Sequence, residues 1–144
     1  MQLTIKSNVG LVRQGLQDLS AEIPKIGRRR IYDAMNRITR EMEGYPGERP
    51  NQRYVRTGNL GASWRVDRLD DGYRISNFAR GPKGRLYTRY VVGDAYGLGQ
   101  AWMHRGRWQL FRDVADAEIE KLPAEVVKEI DMVARRVLAK GGAV

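Results

Sequence analysis

Residues 54–64 read Tyr54-Val55-Arg56-Thr57-Gly58-Asn59-Leu60-Gly61-Ala62-Ser63-Trp64, and this stretch is the most informative feature of the sequence. It combines a turn, a corner of small residues and the start of an aromatic strand. Its glycines permit backbone angles that other residues avoid, and its hydroxyl and amide side chains can hydrogen-bond to nearby backbone. The stretch therefore predicts an architectural element. It contains no set of nucleophile, base and orienting group.

A β-hairpin is predicted directly after this stretch. Apolar and polar residues alternate from Trp64 to Asp67 and again from Tyr73 to Asn77, with Asp70-Asp71-Gly72 between the two runs. Asp-Gly favours a tight hairpin turn because both residues tolerate positive φ. We expect a third strand over residues 86–92 and a fourth over 100–104.

Helical patterns flank the predicted sheet on both sides. Apolar residues at spacings of three and four predict helices over residues 8–21 and 24–43, the second beginning near Pro24 and ending at Gly44. Two further helices are expected after Trp108, with Pro123 restarting the second. Because helices and strands are segregated along the chain, the sequence predicts an α+β fold with N-terminal helices, a small antiparallel sheet of three or four strands and C-terminal helices.

The length of 144 residues predicts a single domain, residues 1–144, that buries a core without metal or disulfide support. Residues 1–7 and 141–144 are expected to be flexible ends, and residues 44–56 and 93–100 long loops. The chain has no cysteine and one histidine, which excludes disulfides, thiolate metal sites and multi-histidine sites within one chain. No apolar run approaches the roughly 18 to 20 residues of a membrane helix, so we expect a soluble protein made in the cytoplasm.

The net charge of +9 is concentrated in the middle of the chain. Residues 1–44, 45–110 and 111–144 carry +3, +7 and −1. This excess favours contact with nucleic acid or with an acidic protein surface, and arginine, which far outnumbers lysine, pairs bidentately with carboxylate as well as phosphate. A row of helical arginines could track phosphates, meet an acidic neighbour or form a solvated helix face; it comprises Arg28, Arg29, Arg30, Arg37 and Arg40.

Four patterns bear on chemistry. His104, which is followed by Arg105 and Arg107, is a candidate base for RNA cleavage, and Asp67, Asp70 and Asp71 are candidate cation ligands. A structural role is favoured for each. Gly93 to Gly99 matches no phosphate-binding motif. On one strand Tyr87 and Tyr90 face opposite sides, which disfavours an aromatic platform for single-stranded nucleic acid. We therefore expect no enzyme, no cofactor and no metal.

Four short motifs carry a family resemblance. Together with Tyr45-Pro46, Tyr90-Val91-Val92-Gly93 and Gly106-Arg107-Trp108, the opening stretch resembles the minor tail or tail-completion proteins of tailed bacteriophages, which lie at the head-tail junction or neck. The resemblance spans about residues 8–140. It departs after Gly93, where Asp94 to Gly99 precede Gln100 and the family pattern has a glutamine soon after the glycine.

The resemblance implies a structural virion protein, assembled in the host cytoplasm, that completes the tail or joins head and tail. It implies a homo-oligomeric ring, sixfold or twelvefold, that contacts neighbouring neck, connector or tail-tube proteins. By the resemblance, the residues that organise fold and subunit contacts are Arg56, Thr57, Gly58, Asn59, Leu60, Ser63, Trp64, Tyr90, Gly93 and Trp108; Leu60, Trp64 and Trp108 are alternatively plain core residues.

Interface contacts are expected from residues in predicted loops, namely Arg49, Arg53, Arg80, Lys83 and Arg85. Two alternatives stay open. The first is a basic nucleic-acid-binding module, which the positive net charge supports. If the chain is a virion protein, the same charge also permits non-specific contact with packaged DNA. The second is a small ribonuclease-like enzyme centred on His104.

Overall fold

A computed structural model of the chain describes residues 9–52 and 56–142. Along the chain the elements are α1 (Val9–Glu43), α2 (Asn59–Ala62), β1 (Trp64–Arg68), β2 (Tyr73–Asn77), α3 (Thr88–Val92), a 3-10 turn (Trp102–His104) and α4 (Phe111–Gly142). The α+β class is confirmed, with one two-stranded antiparallel sheet in the described part of the chain. Residues 1–7 and Arg53, which carry expectations of their own, lie outside the described residues.

The chain is organised as two compact units. The first contains residues 9–30 and 122–142 of the described chain, and the second contains residues 31–121. Helices α1 and α4 each contribute residues to both units.

The first unit pairs the beginning of α1 with the end of α4. Ile26 is completely buried there. Glu129 is also buried, and it accepts hydrogen bonds from Arg29 and from Arg30, whose Nε lies 2.5 Å from Glu129 Oε2. Burial raises the pKa of Glu129, but hydrogen bonds from the two arginines outweigh it and leave the pKa below its ordinary value of 4.5. The unit is therefore joined by an apolar contact and a charge cluster.

Two prolines lie inside the long helices, so the predicted breaks there are wrong. Pro24 is within α1 and Pro123 within α4. An interior proline removes one backbone hydrogen bond and costs about 3 kcal/mol. The apolar pattern continues on both sides of each proline, and burial of that pattern, as at Ile26 two residues after Pro24, offsets the cost. The expected helix end at Gly44 is confirmed, since α1 ends at Glu43.

The second unit contains the main core. Its buried residues come from α1, α2, α3, α4 and the segment after β2. They are Ile38, Met42, Leu60, Ala79, Val91, Val92 and Val114. Trp64, Trp108 and Phe111 are half-buried against this cluster, and the ring of Trp64 stacks on that of Phe111 with centroids 5.6 Å apart. The core thus collects one or two residues from each short element instead of burying a wide sheet.

The predicted hairpin is confirmed in position and register. Trp64 pairs with Asn77, and Arg68 pairs with Tyr73 at the far end. The turn itself differs from the expectation, because neither Asp71 nor Gly72 adopts positive φ. Instead Leu69 N–H donates to Gly72 C=O at 2.9 Å and closes a loop of four residues. Four-residue loops are commonly built on a type I turn, which needs no left-handed residue.

The expected third and fourth strands are wrong. Only Leu86 pairs as a strand would, in an isolated bridge to Arg80, and the chain then enters α3. A helical turn buries the consecutive residues Val91 and Val92, whereas a strand would direct them to opposite faces. Residues 102–104 form a 3-10 turn in place of a strand. Tertiary packing overrides the β propensity of these short segments.

We predict different effects for two glycine substitutions in α1. A Cβ at Gly15 would lie 2.8 Å from Val137 Cγ1, a stiff β-branched side chain, whereas a Cβ at Gly27 meets nothing within 4 Å. Gly27→Ala should therefore stabilise the protein by about 0.5–1 kcal/mol. Gly15→Ala should lose that gain or destabilise.

Chemical denaturation of the two variants beside the parent chain measures this difference. Equal stabilisation by both substitutions would contradict the close approach of α1 and α4 at Gly15.

Candidate functional site

The 56–64 stretch forms a corner between α1 and the hairpin. Gly58 adopts φ 72° and starts the short helix α2. Ser63 Oγ donates to Asn59 C=O at 2.6 Å, and Asn59 Nδ2 donates to Arg80 C=O at 3.0 Å. The hydroxyl and amide side chains therefore do bond to backbone, and Asn59 fixes the corner to the segment that follows β2.

Gly61 brings this corner against the end of α1. A Cβ there would lie 2.9 Å from Glu43 O and 3.1 Å from Tyr45 Cε2, so only glycine fits. Gly61 N–H donates to Tyr45 Oη at 2.9 Å. The neighbouring residue Leu60 is buried in the core. The motif thus fixes the angle at which the chain leaves α1 and enters the sheet.

Asn77 is a structural residue that the sequence pattern did not reveal. Its Nδ2 donates to Leu60 C=O at 2.8 Å, and its Oδ1 accepts from Ala79 N–H at 2.9 Å and from Thr88 Oγ1 at 2.7 Å. The base of the hairpin is thereby joined to α2 and to α3. The sequence signal for this role is that Asn77 is polar, although the alternation of Tyr73 and Ile75 places it on the apolar face of the strand.

Arg56 organises the loop after α1. Its guanidinium donates to the backbone carbonyls of Pro46 and Gly47. It also lies over the rings of Tyr45 and Trp108, with Cζ 5.6 Å and 5.8 Å from their centroids. The two rings meet edge to face at 5.2 Å. Three of the motifs quoted for the resemblance, Tyr45-Pro46, Arg56 and Gly106-Arg107-Trp108, therefore meet at one place.

A cleft of about 590 Å³ opens at this meeting point in the second unit. Its apolar surface comes from α2, α3 and the aromatic residues, and its polar rim comes from residues 49–52, from Arg56 and Thr57, and from the 103–108 segment. The lining residues are Tyr45, Arg49, Pro50, Asn51, Gln52, Arg56, Thr57, Leu60, Tyr87, Val91, Met103, His104, Arg107 and Trp108. The volume is within the range of natural ligand pockets. Sequence patterns did not predict the cleft, because loops far apart in the chain build it.

The rim of the cleft is cationic. Arg107 Nη2 donates to Gly47 C=O at 2.6 Å, the same carbonyl that Arg56 reaches. Burial, followed by the positive charges of Arg49 and Arg56, lowers the pKa of Arg107, while Glu48 acts in the opposite direction. Burial, and then the charges of Arg107 and Arg49, lowers the pKa of His104 below its ordinary value of 6.5 and favours the neutral imidazole. Like charges are thus held close together here.

The segment after Gly93 is an internally bonded loop. Asp94 N–H donates to Leu98 C=O at 2.8 Å, and Asp94 Oδ1 accepts from Tyr96 N–H and Leu98 N–H. Hydrogen bonding from Leu98 chiefly lowers the pKa of Asp94. Because the loop closes on itself, Gln100 returns to the core, where its Nε2 donates to Val91 C=O at 2.9 Å. Residues 94–98 thus form one closed turn before Gln100.

Large apolar side chains around this loop are exposed to solvent. Trp102 is 79% exposed and Tyr96 76%, and Tyr90, Leu98 and Met103 are also more than half exposed. Ala101 N–H donates to Tyr90 C=O at 2.8 Å and brings α3 beside the 3-10 turn. We refer to Tyr90, Tyr96, Leu98, Trp102 and Met103 as the apolar segment. The expectation that Tyr90 lies on a strand is wrong, so the alternation argument about Tyr87 and Tyr90 does not apply.

The residues expected at an interface occupy different environments. Arg80 Nη1 donates to Gly84 C=O at 2.7 Å, so its side chain closes its own loop. Lys83 and Arg85 are exposed on that loop. Arg49 lies at the cleft rim. Three of the four residues, Arg80, Lys83 and Arg85, therefore share one loop, and Arg49 belongs to the cleft rim.

Part of the arginine row on α1 is paired with acidic residues of α4. In the first unit Arg29 and Arg30 contact Glu129. In the second unit Arg37 Nε lies 2.6 Å from Glu118 Oε2. Hydrogen bonds from Lys121 and, next in size, from Arg37 lower the pKa of Glu118. Three of the five arginines thus neutralise carboxylates within the chain. The row is not a continuous phosphate-binding track.

The other candidate chemistry finds little geometric support. The His104 ring packs edge to face on Trp108, and no hydrogen bond joins it to a hydroxyl or carboxylate within residues 9–52 and 56–142. Asp67 Oδ2 accepts a hydrogen bond from Ser76 Oγ at 3.3 Å and lies 3.8 Å from Arg74 Nη2. No group of three potential ligands for a metal ion occurs in the described part of the chain.

No protein-family model, curated protein or solved structure matches the chain. Among the described residues, no helix has the length and apolar character to cross a membrane. Function is therefore inferred from the cleft, the apolar segment and the distribution of charge.

We predict that Arg56→Lys destabilises the protein although it keeps the charge. Lysine cannot reach two carbonyls with a planar fork or stack on Tyr45 and Trp108 in the same way, so a loss of about 1–3 kcal/mol is expected. Arg49→Lys is the matched control, because the Arg49 side chain has no hydrogen bond or ion pair within the described residues. Denaturant unfolding measures both, and equal stabilities would contradict the structural role of Arg56.

Proposed function

We propose that the chain is a structural subunit of a tailed phage or prophage that completes the tail or joins head and tail as a homo-oligomeric ring. Its partners are further copies of itself and the neighbouring neck, connector or tail-tube rings of the virion. The observation that carries the proposal is the exposed apolar segment. The resemblance in the motifs around Arg56 and Trp108 names the kind of assembly.

The apolar segment favours protein association over a solitary monomer. Scattered exposed apolar residues are ordinary, but five large ones within fourteen consecutive positions are a feature of interaction surfaces. Two of them, Tyr96 and Leu98, lie on the loop that Asp94 closes by hydrogen bonds. Their loop is already ordered by Asp94, which limits the entropy lost when a partner covers it. Aromatic residues such as Trp102 and Tyr96 are enriched at the centres of protein interfaces.

The distribution of charge supports a protein partner more than a nucleic acid. The helical arginines Arg29, Arg30 and Arg37 are committed to carboxylates of α4. The cleft arginines surround an apolar floor, whereas a phosphate-tracking surface places cations along an open groove. Exposed Lys83 and Arg85 remain available for acidic neighbours or for packaged DNA.

We predict that apolar-to-polar changes in the apolar segment weaken self-association. Burial of a large apolar side chain contributes about 1.5–3 kcal/mol, so Leu98→Ser and Trp102→Ser should each lower the association constant by about tenfold or more. Leu138→Ser is the matched control, since Leu138 is 65% exposed and Leu98 is 61% exposed. Sedimentation velocity over a concentration series measures assembly, and thermal unfolding verifies that each variant is folded.

Two results would oppose the proposal. A parent chain that stays monomeric at every concentration tested contradicts a ring. Salt-dependent retardation of generic duplex DNA by that monomer would instead favour the nucleic-acid-binding module.

A further inference from the structure

The cleft rim holds three guanidinium groups with no anion between them. Arg49, Arg56 and Arg107 form no ion pair with any carboxylate in the described residues, and Arg56 and Arg107 share one neutral carbonyl, that of Gly47. Glu48 acts on Arg107 only through space. A carboxylate or phosphate placed here would relieve the repulsion among the three cations and form charge-assisted hydrogen bonds.

The floor of the same cleft is apolar. Leu60 and Val91 belong to the core, and Trp108 and Tyr87 supply ring surface. A simple inorganic anion would leave this surface in contact with water. The cleft therefore fits a ligand that carries an aliphatic side chain next to carboxylates, as an acidic peptide turn does.

The tip of the hairpin has this chemistry. Leu69 is 38% exposed, and Asp70 and Asp71 beside it are exposed as well. Neither aspartate makes a hydrogen bond or ion pair within the described residues. Two cations flank the tip. Arg74 Nη2 lies 3.8 Å from Asp67 Oδ2. The other cation, Arg68, is next in sequence to the tip that carries the Asp70 and Asp71 carboxylates.

The tip cannot enter the cleft of its own chain. The base of the hairpin is attached to the cleft floor, because Asn77 donates to Leu60 C=O. The base is the first of five residue pairs, and the fifth pair, Arg68 with Tyr73, lies four residues further along each strand, about 13 Å away and next to the loop. Tip and cleft therefore lie at opposite ends of the hairpin, and a contact between them must join two copies.

The geometry points to a head-to-tail contact in which Leu69, Asp70 and Asp71 of one copy enter the arginine-rimmed cleft of the next. Leu69 covers the floor at Leu60 and Trp108, and the two carboxylates pair with guanidinium groups of the rim. Because tip and cleft are different surfaces, the contact is heterologous, and repetition closes a ring when the rotation between copies allows it. This inference rests on the proposed ring and identifies one of its contacts.

Site-directed cross-linking tests this contact, and the absence of native cysteine makes the background clean. The variant Arg49→Cys/Asp71→Cys is treated with a short bis-maleimide at a concentration at which the parent chain assembles. A ladder of covalent oligomers is expected, because each copy links to the next. Each single variant links at most two chains. Arg49→Cys/Asp113→Cys is the matched control, with Asp113 exposed on α4, and should give no ladder.

Sedimentation of the same samples separates the two proposals. Assembly without a ladder, or with an equal ladder in the control, overturns the tip-in-cleft contact and leaves the ring intact. Absence of assembly contradicts the ring and the contact together. If no ladder forms and duplex DNA is retarded by the parent but not by Arg49→Glu, the cleft binds phosphate and the contact is overturned.

A charge-neutralising pair gives an independent measurement. Asp70→Asn/Asp71→Asn keeps the shape of the tip and removes both carboxylates, so the concentration at the assembly midpoint should rise on the order of tenfold. Asp113→Asn/Asp116→Asn removes two exposed carboxylates near Arg112 and should leave the midpoint unchanged. Equal midpoints for the two double variants would overturn the contact.

Discussion

The close approach at Gly61 is the constraint on which the second unit depends. Glycine lets the backbone of α2 pass beside Glu43 at the end of α1, and the Tyr45 hydroxyl accepts the Gly61 N–H. From this point Leu60 enters the core, Asn77 ties the hairpin base to Leu60, and Arg56 stacks on Tyr45. The cleft, its cationic rim and the direction of the hairpin all follow from that corner.

The elements with a local signal were predictable from sequence. Strict alternation predicted the hairpin, and Gly44 marked the end of α1. The helix breaks predicted at Pro24 and Pro123 were wrong. A proline in the sequence indicates the free-energy cost of placing it inside a helix, but it does not show the tertiary packing that offsets this cost. The strand predicted over residues 86–92 was wrong. Val91 and Val92 have high β propensity, but a helical turn is needed to bury both of them in one core.

The candidate site was predictable only in part. The motifs around Tyr45, Arg56 and Trp108 were noticed, but their convergence depends on contacts between residues as much as 63 positions apart, such as Tyr45 and Trp108. No periodicity encodes such a contact. The arginine row on α1 looked like one surface, yet Glu118 and Glu129 neutralise much of it because α4 runs beside α1 within each unit. Charge counts along a sequence do not reveal such pairing.

Electron microscopy tests the central proposal, a structural role at the head-tail junction, most directly. The coding sequence of this chain is deleted from its parent phage or prophage and then restored on a plasmid, and the particles are imaged in both cases. We expect filled heads with separate or aberrant tails after deletion and normal particles after restoration. Normal infectious particles in the absence of the chain would contradict it.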